Sequence, residues 1–169
     1  MRPTADRVRE AIFNILGAAV EEAQVLDLFA GTGALGIEAL SRGAAQAVFV
    51  EPHRTSLLVL RRNLALCGLE GVSQICPLPV HRALPQLAAQ GRTFNLIFLD
   101  PPYERGLAGS TLARLARRPL WASEAVIVVE HSRTEKLAAA YDTLVHLEHR
   151  QYGGTVVSFY TASRPSAGS

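Results

Sequence analysis

Cysteine is scarce in this sequence and lysine scarcer still. The two cysteines, Cys67 and Cys76, lie in or beside apolar segments. They are too few for a disulfide framework and lack metal-ligand spacing, so they read as buried thiols. The five histidines (His53, His81, His131, His146 and His149) are scattered, and no metal is assigned. No apolar run reaches the length of a membrane span. The opening MRPTADRVRE lacks the apolar middle of a secretory signal. A soluble, cytoplasmic monomer with no membrane partner is expected. No internal repeat or linker is visible.

Lys136 is the only lysine, so the remaining positive charge is arginine. Arg2, Arg7 and Arg9 crowd the start, and Arg114, Arg117 and Arg118 cluster later. Arginine grips phosphate bidentately and stacks on bases. The net charge of +2 is small, and on charge alone a solvated surface is the favoured reading.

What the chain has in quantity is apolar residues, 49% of 169, enough for one domain with a substantial core. Thr4 is placed to cap a first helix that runs to Gly17, with Asp6 in its first turn. Strands are expected over 25–29, 47–50, 72–76, 94–99 and 125–129. Helices are expected over 34–42, 53–67, 80–89, 107–118 and 134–140. Two last strands, 143–150 and 155–161, are joined by Gly153-Gly154, a hairpin signal. The alternation predicts an α/β fold with a mostly parallel seven-stranded sheet, an antiparallel C-terminal hairpin and helices on both faces. Residues 1–162 are expected to form the domain and 163–169 a disordered tail.

Ligands of open parallel sheets bind beyond the carboxyl ends of the strands. Four acids fall there: Asp27, Glu51, Asp100 and Glu130. The first turn, DLFAGTGALG, spells G-x-G-x-x-G with Gly31, Gly33 and Gly36. That pattern fits a nicotinamide dinucleotide, with pyrophosphate at the following helix and the ribose on Glu51. It also fits S-adenosylmethionine, whose ammonium and sulfonium suit Asp27 and whose ribose suits Glu51. A carboxylate repels pyrophosphate and attracts those cations, so Asp27 favours the second ligand.

The strand at 94–99 ends on Asp100-Pro101-Pro102-Tyr103. An exocyclic amine on a nucleobase is a poor nucleophile because its lone pair is delocalised into the ring. Acceptors on its N–H groups free that pair. Asp100 supplies one acceptor and the Pro101 carbonyl a second. Pro102 lacks an N–H and holds Pro101 extended, and Tyr103 offers a flat face for the base. A rigid strand-end turn without chemistry is the plain alternative.

With these residues the chain resembles the bacterial 16S rRNA guanine-N2 methyltransferases of the RsmD type. The resemblance rests on RPTADRVREAIFNIL (Arg2 to Leu16), LDLFAGTGALGIEALSRGA (Leu26 to Ala44), FNLIFLDPPYERGL (Phe94 to Leu107) and YGGTVVSFY (Tyr152 to Tyr160). It implies a Rossmann-like methyltransferase fold and S-adenosylmethionine as donor. It implies transfer to N2 of one guanine, guanine 966 in the customary rRNA numbering, with an assembling 30S particle as substrate. Asp27, Phe29, Ala30, Gly31, Thr32, Gly33, Glu51 and Pro52 would hold the cofactor. Leu78 and Val80 would contact its adenine, because the segment Cys76-Pro77-Leu78-Pro79-Val80 has no acid. Asp100, Pro101, Pro102 and Tyr103 would form the catalytic pocket, and Arg2, Arg7 and Asn14 would meet RNA. The family usually carries a basic, glycine-containing hairpin before RPT. This sequence begins at Met1-Arg2-Pro3, so weaker RNA binding is expected. DPPY is shared with adenine-N6 DNA methyltransferases, and a module that binds cofactor and RNA without turnover is a further alternative.

Overall fold

The structure is a computed structural model, and it describes residues 3–102, 106–118 and 120–162. Helix α1 (Pro3–Leu16) opens the chain. It begins at Pro3, a residue pre-set for a first helical position, so Thr4 lies inside the first turn rather than capping it. Val8, Ile12, Phe13 and Leu16 recur at helical spacing and form its buried stripe. A 3-10 turn (Gly17–Val20) leads into the alternating part.

There follow β1 (Gln24–Leu28), α2 (Ala34–Ser41), β2 (Gln46–Val50), α3 (Arg54–Leu66), β3 (Ser73–Cys76), α4 (Val80–Ala89), β4 (Phe94–Leu99), α5 (Leu107–Arg117), β5 (Trp121–Ser132), β6 (Ala140–Tyr141), β7 (Leu144–Tyr152) and β8 (Thr155–Ala162). The sheet order is β3-β2-β1-β4-β5-β8-β7-β6. β3 to β5 are parallel, whereas β8, β7 and β6 join antiparallel.

The central strands are apolar throughout because both faces are covered. Val25, Phe49, Leu96, Phe98 and Val128 pack with α1, α2 and α3. Leu26, Val48, Ile97, Leu99 and Val129 pack with α4 and α5. Each such side chain contributes about 1.5–3 kcal/mol by leaving water. The Phe13 ring meets Phe98 with centroids 5.8 Å apart, which docks α1 near the carboxyl end of β4. No helix among the described residues is long and apolar enough to cross a membrane.

The α/β architecture with its closing hairpin matches the sequence reading, but the sheet has eight strands rather than seven. The extra strand, β6, begins at the last residue of a helix expected over 134–140, and 134–139 form turns and irregular backbone instead. Local bonds capture that backbone first. Ser132 Oγ accepts the Thr134 N–H at 3.2 Å, and the Ser132 carbonyl accepts Glu135 N–H at 3.0 Å. The Tyr141 hydroxyl accepts Ala138 N–H, while Ala138 C=O accepts the Tyr160 O–H at 2.7 Å. Helical propensity loses to these tertiary partners. β5 also runs longer than expected, through a bulge marked by Glu124 at φ 65°. The expected tail over 163–169 lies outside the described residues.

Candidate active site at the carboxyl edge of the sheet

The order β2-β1-β4 reverses direction at β1, since α2 and α3 cover one face and α4 the other. This is the switch point at which open sheets bind ligands. A cavity of about 680 Å³ opens there. Its walls come from the turn after β1 (Phe29 to Thr32 and Ala34), from Glu51, Pro52 and His53 after β2, and from Pro79 and Val80 at the start of α4. Asp100, Pro101 and Pro102 after β4, with Leu107 of α5, complete it.

Two glycines shape the first wall. Gly33 has φ 92°, and a Cβ there would lie 2.5 Å from Leu60 Cδ1. At Gly36 a Cβ would lie 2.4 Å from the Phe49 ring and 3.0 Å from Asp27 Oδ2. α2 therefore packs on β2 and β1 closely enough that only glycine fits. Phe29, a non-glycine residue at φ 60°, makes the sharp exit from β1. Such uncommon backbone persists where its surroundings hold it, often at functional sites.

Carboxylates fasten this turn. Glu51 is buried, and its two oxygens accept the Gly31 N–H at 2.8 Å and the His53 N–H at 2.9 Å. Asn63 of α3 donates to the Thr32 carbonyl at 3.0 Å. Asp27 Oδ2 accepts the Gly36 N–H at 3.0 Å.

Asp27 is 1% exposed and does not line the cavity. The sequence reading set it against the positive end of a ligand. The structure sets it behind the turn, where it ties the first turn of α2 to β1. Burial pushes its carboxyl up to about 8, against the pull of the Gly36 N–H and with the charges of Asp100 and Glu51.

Of the other expected cofactor residues, Phe29, Ala30, Gly31, Thr32, Glu51, Pro52 and Val80 all line the cavity. Gly33 does not, because its open side faces Leu60 and Ile37. Leu78 does not either. It turns inward onto the α4 and α5 core, and Pro79 takes its place on the wall. The sequence reading also missed His53, Ala34 and Leu107, which carry no chemical signature of their own. Only their place at the starts of α2, α3 and α5 would have marked them.

Asp100, Pro101 and Pro102 come together opposite the Gly31 turn. Pro101 is buried and Pro102 exposed at the rim. Burial raises the Asp100 carboxyl, and it hydrogen-bonds Glu130 on the neighbouring strand. Arg7 and Asn14 lie on the solvent side of α1 and do not line the cavity. Arg2 and Tyr103 lie outside the described residues.

A family model described as Conserved hypothetical protein 95 matches residues 1–161. The chain belongs to this family. It is 43% identical over 130 residues to Ribosomal RNA small subunit methyltransferase D of Escherichia coli (strain K12). That match takes in 77% of this chain but only 64% of the relative, less than two thirds of its length. The protein of the same name from Haemophilus influenzae is 36% identical over 139 residues, 81% of this chain and 71% of that one. A conserved hypothetical protein from Streptococcus pyogenes superposes with a TM-score of 0.84 at 34% identity, covering 92% and 95% of the two chains. An RNA methyltransferase from Salinibacter ruber, solved with S-adenosyl-L-homocysteine, has a TM-score of 0.73 at 15% identity. It covers 99% of this chain and 98% of its own, and it bears on the fold alone. The family identified from the RPT run, the glycine turn and DPPY is therefore the family found.

Proposed function

We propose that this chain transfers a methyl group from S-adenosylmethionine to N2 of a guanine in 16S rRNA. The cavity is of the size that takes small ligands. Its described walls carry two acids, Glu51 and Asp100, and no arginine or lysine. That disfavours a pyrophosphate and favours a cationic ligand. Each Glu51 oxygen spends one lone pair on a backbone N–H and keeps another for a ribose hydroxyl. Pro52, Pro79 and Val80 offer apolar contact to an adenine. Bound there, S-adenosylmethionine supplies an electrophilic methyl group on sulfur.

The residues of the chain do the rest. The observation that carries the reading is Asp100-Pro101-Pro102 on the wall facing the glycine turn. Asp100, when ionised, accepts one N–H of the target amine, and the Pro101 carbonyl accepts the other. Both acceptors are rigid, because Pro102 restricts Pro101 and Asp100 closes a strand. Such alignment lowers a barrier by up to about 7–11 kcal/mol. Tyr103 stacks the base, and Arg2, Arg7 and Asn14 contact the RNA. The names of the relatives support small-subunit rRNA as the substrate class. The substrate is an assembling 30S particle, met in the cytoplasm by a monomer whose residues 1–162 act as one domain.

The test offers labelled S-adenosylmethionine with 30S particles lacking the modification, duplex DNA, or no acceptor, beside an Asp100→Asn control. Label in the 30S RNA alone, lost in the control, is expected. Label in DNA adenine would replace the reading with its nearest rival. Cofactor binding without transfer to either would leave a non-catalytic module.

A further inference from the structure

β4 and β5 run parallel, with Leu99 opposite Val129. One residue beyond that pair each strand carries an acid, Asp100 and Glu130. Strand alternation turns both toward the α1 face. Phe98 and Val128, two residues earlier, are buried on that face, whereas Leu99 and Val129 are buried on the other. The two carboxyl groups hydrogen-bond each other.

Among the described residues, their surroundings offer them no cation. On the far side of Glu130, β8 presents the buried Val157 as its register partner. β1 brings only Asp27, a third acid, whose titration responds to Asp100. The helix over this face contributes Val8, Ile12 and Phe13, and its Arg9 is engaged by Asp6 and Glu38. No arginine or lysine among the described residues pairs with Asp100 or Glu130.

Two carboxylates this close, half-buried and without a counter-charge among the described residues, do not both ionise. They keep a proton between them and titrate as a pair. Burial, then the bond and charge of Asp100, drive Glu130 up to about 9, whereas the same bond opposes the burial-driven rise at Asp100. Asp100 lines the cavity and Glu130 does not.

We infer that Glu130 is a positioning residue for the reaction. As a neutral acid it donates its O–H to one Asp100 oxygen and leaves the other, ionised and on the cavity wall, to accept the target N–H. This rests on reading the cavity as a methyl-transfer site. It gives Asp100 a fixed rotamer and a charge that survives its acidic surroundings. When the methylated nitrogen sheds its proton, the N–H electron pair stays on nitrogen and the proton passes to Asp100. The pair then holds two protons and returns one to solvent through the cavity.

Two measurements test it, one of them without turnover. Carboxyl carbon NMR of the ligand-free protein, assigned with Glu130→Gln, should show Glu130 protonated at about pH 7. In Asp100→Asn its titration should fall toward the ordinary glutamate range, because the partner charge is gone. A wild-type Glu130 that titrates in the ordinary range overturns the inference.

The second measurement is the pH profile of kcat. Glu130→Ala should lower kcat by about tenfold or more with cofactor Kd unchanged, since the loss is of alignment rather than binding. Glu130→Gln keeps an N–H donor and cannot ionise. It should recover most of that loss at neutral pH and lack the alkaline decline of the wild type. Equal impairment in both variants, or wild-type profiles in both, overturns the inference. If the wild-type protein methylates no RNA, the functional reading fails by itself, and the NMR titration still decides the state of the pair.

Discussion

Glu51 offers the sharpest perturbation of the cofactor wall. Its oxygens hold the Gly31 and His53 N–H groups at 2.8 and 2.9 Å, at 4% exposure. Hydrogen bonds to a charged group are worth about 1.5–3 kcal/mol each, so the two together reach about 3–6 kcal/mol if both donors stay dry. The cavity admits water to the Gly31 side, which reduces the expected cost of Glu51→Ala to about 1.5–3 kcal/mol. For a chain of this length that is a fall in Tm of about 3–12 °C. Glu51→Gln is no rescue. Both oxygens accept from backbone N–H groups, so an amide must turn its own NH2 toward one of them. The Gln variant should therefore melt well below wild type. Loss of even one ribose hydrogen bond should weaken S-adenosylhomocysteine by about tenfold or more. Thermal melts with and without that ligand, together with calorimetric titration, check both numbers. A Gln variant that melts and binds like wild type would refute the assignment of Glu51 as the clamp between turn and ligand.

Gly36→Ala should destabilise by about 1–3 kcal/mol or more, because its methyl would sit 2.4 Å from the Phe49 ring; an unchanged denaturation midpoint would show that α2 can move away. Asp27 keeps a proton in the folded chain up to about 8 that the unfolded chain loses near 3.8. Its contribution is therefore full below the lower value and declines as pH rises through the upper one. Asp27→Asn should flatten stability across that window, and an identical pH profile in the variant would remove Asp27 as the source. Arg7→Glu should leave the melting temperature within about 0.5 kcal/mol of stability, since Arg7 is exposed, yet weaken 30S binding most at low salt. Unaltered binding at low salt would take Arg7 out of the RNA surface.

Much of the site was legible because its signals are local. The spacing of Gly31, Gly33 and Gly36 marks a turn between strand and helix whatever the rest of the chain does. An apolar run ending on Asp-Pro-Pro marks the end of a buried strand. What stayed hidden depends on contacts between distant segments. The partnership of Asp100 with Glu130 follows from the register of β4 on β5, which no window of sequence contains. The place of Asp27 behind the turn follows from how closely Gly36 lets α2 approach β2. Leu78 looked equivalent to Val80; both pack on the α4 and α5 core, and only Val80 also reaches the cavity wall. The segment 133–139 has helical composition, but the hydroxyls of Ser132, Tyr141 and Tyr160 claim its backbone.

In the proposed reaction Asp100 and Pro101 direct a methyl group onto an exocyclic guanine nitrogen. Nucleoside mass spectrometry of 16S rRNA from 30S particles treated with the protein and S-adenosylmethionine tests it most directly. The account expects N2-methylguanosine to appear at a single position and to be absent when Asp100→Asn protein is used. Methylation at adenine N6, at several unrelated guanines, or undiminished in the Asn variant would contradict it.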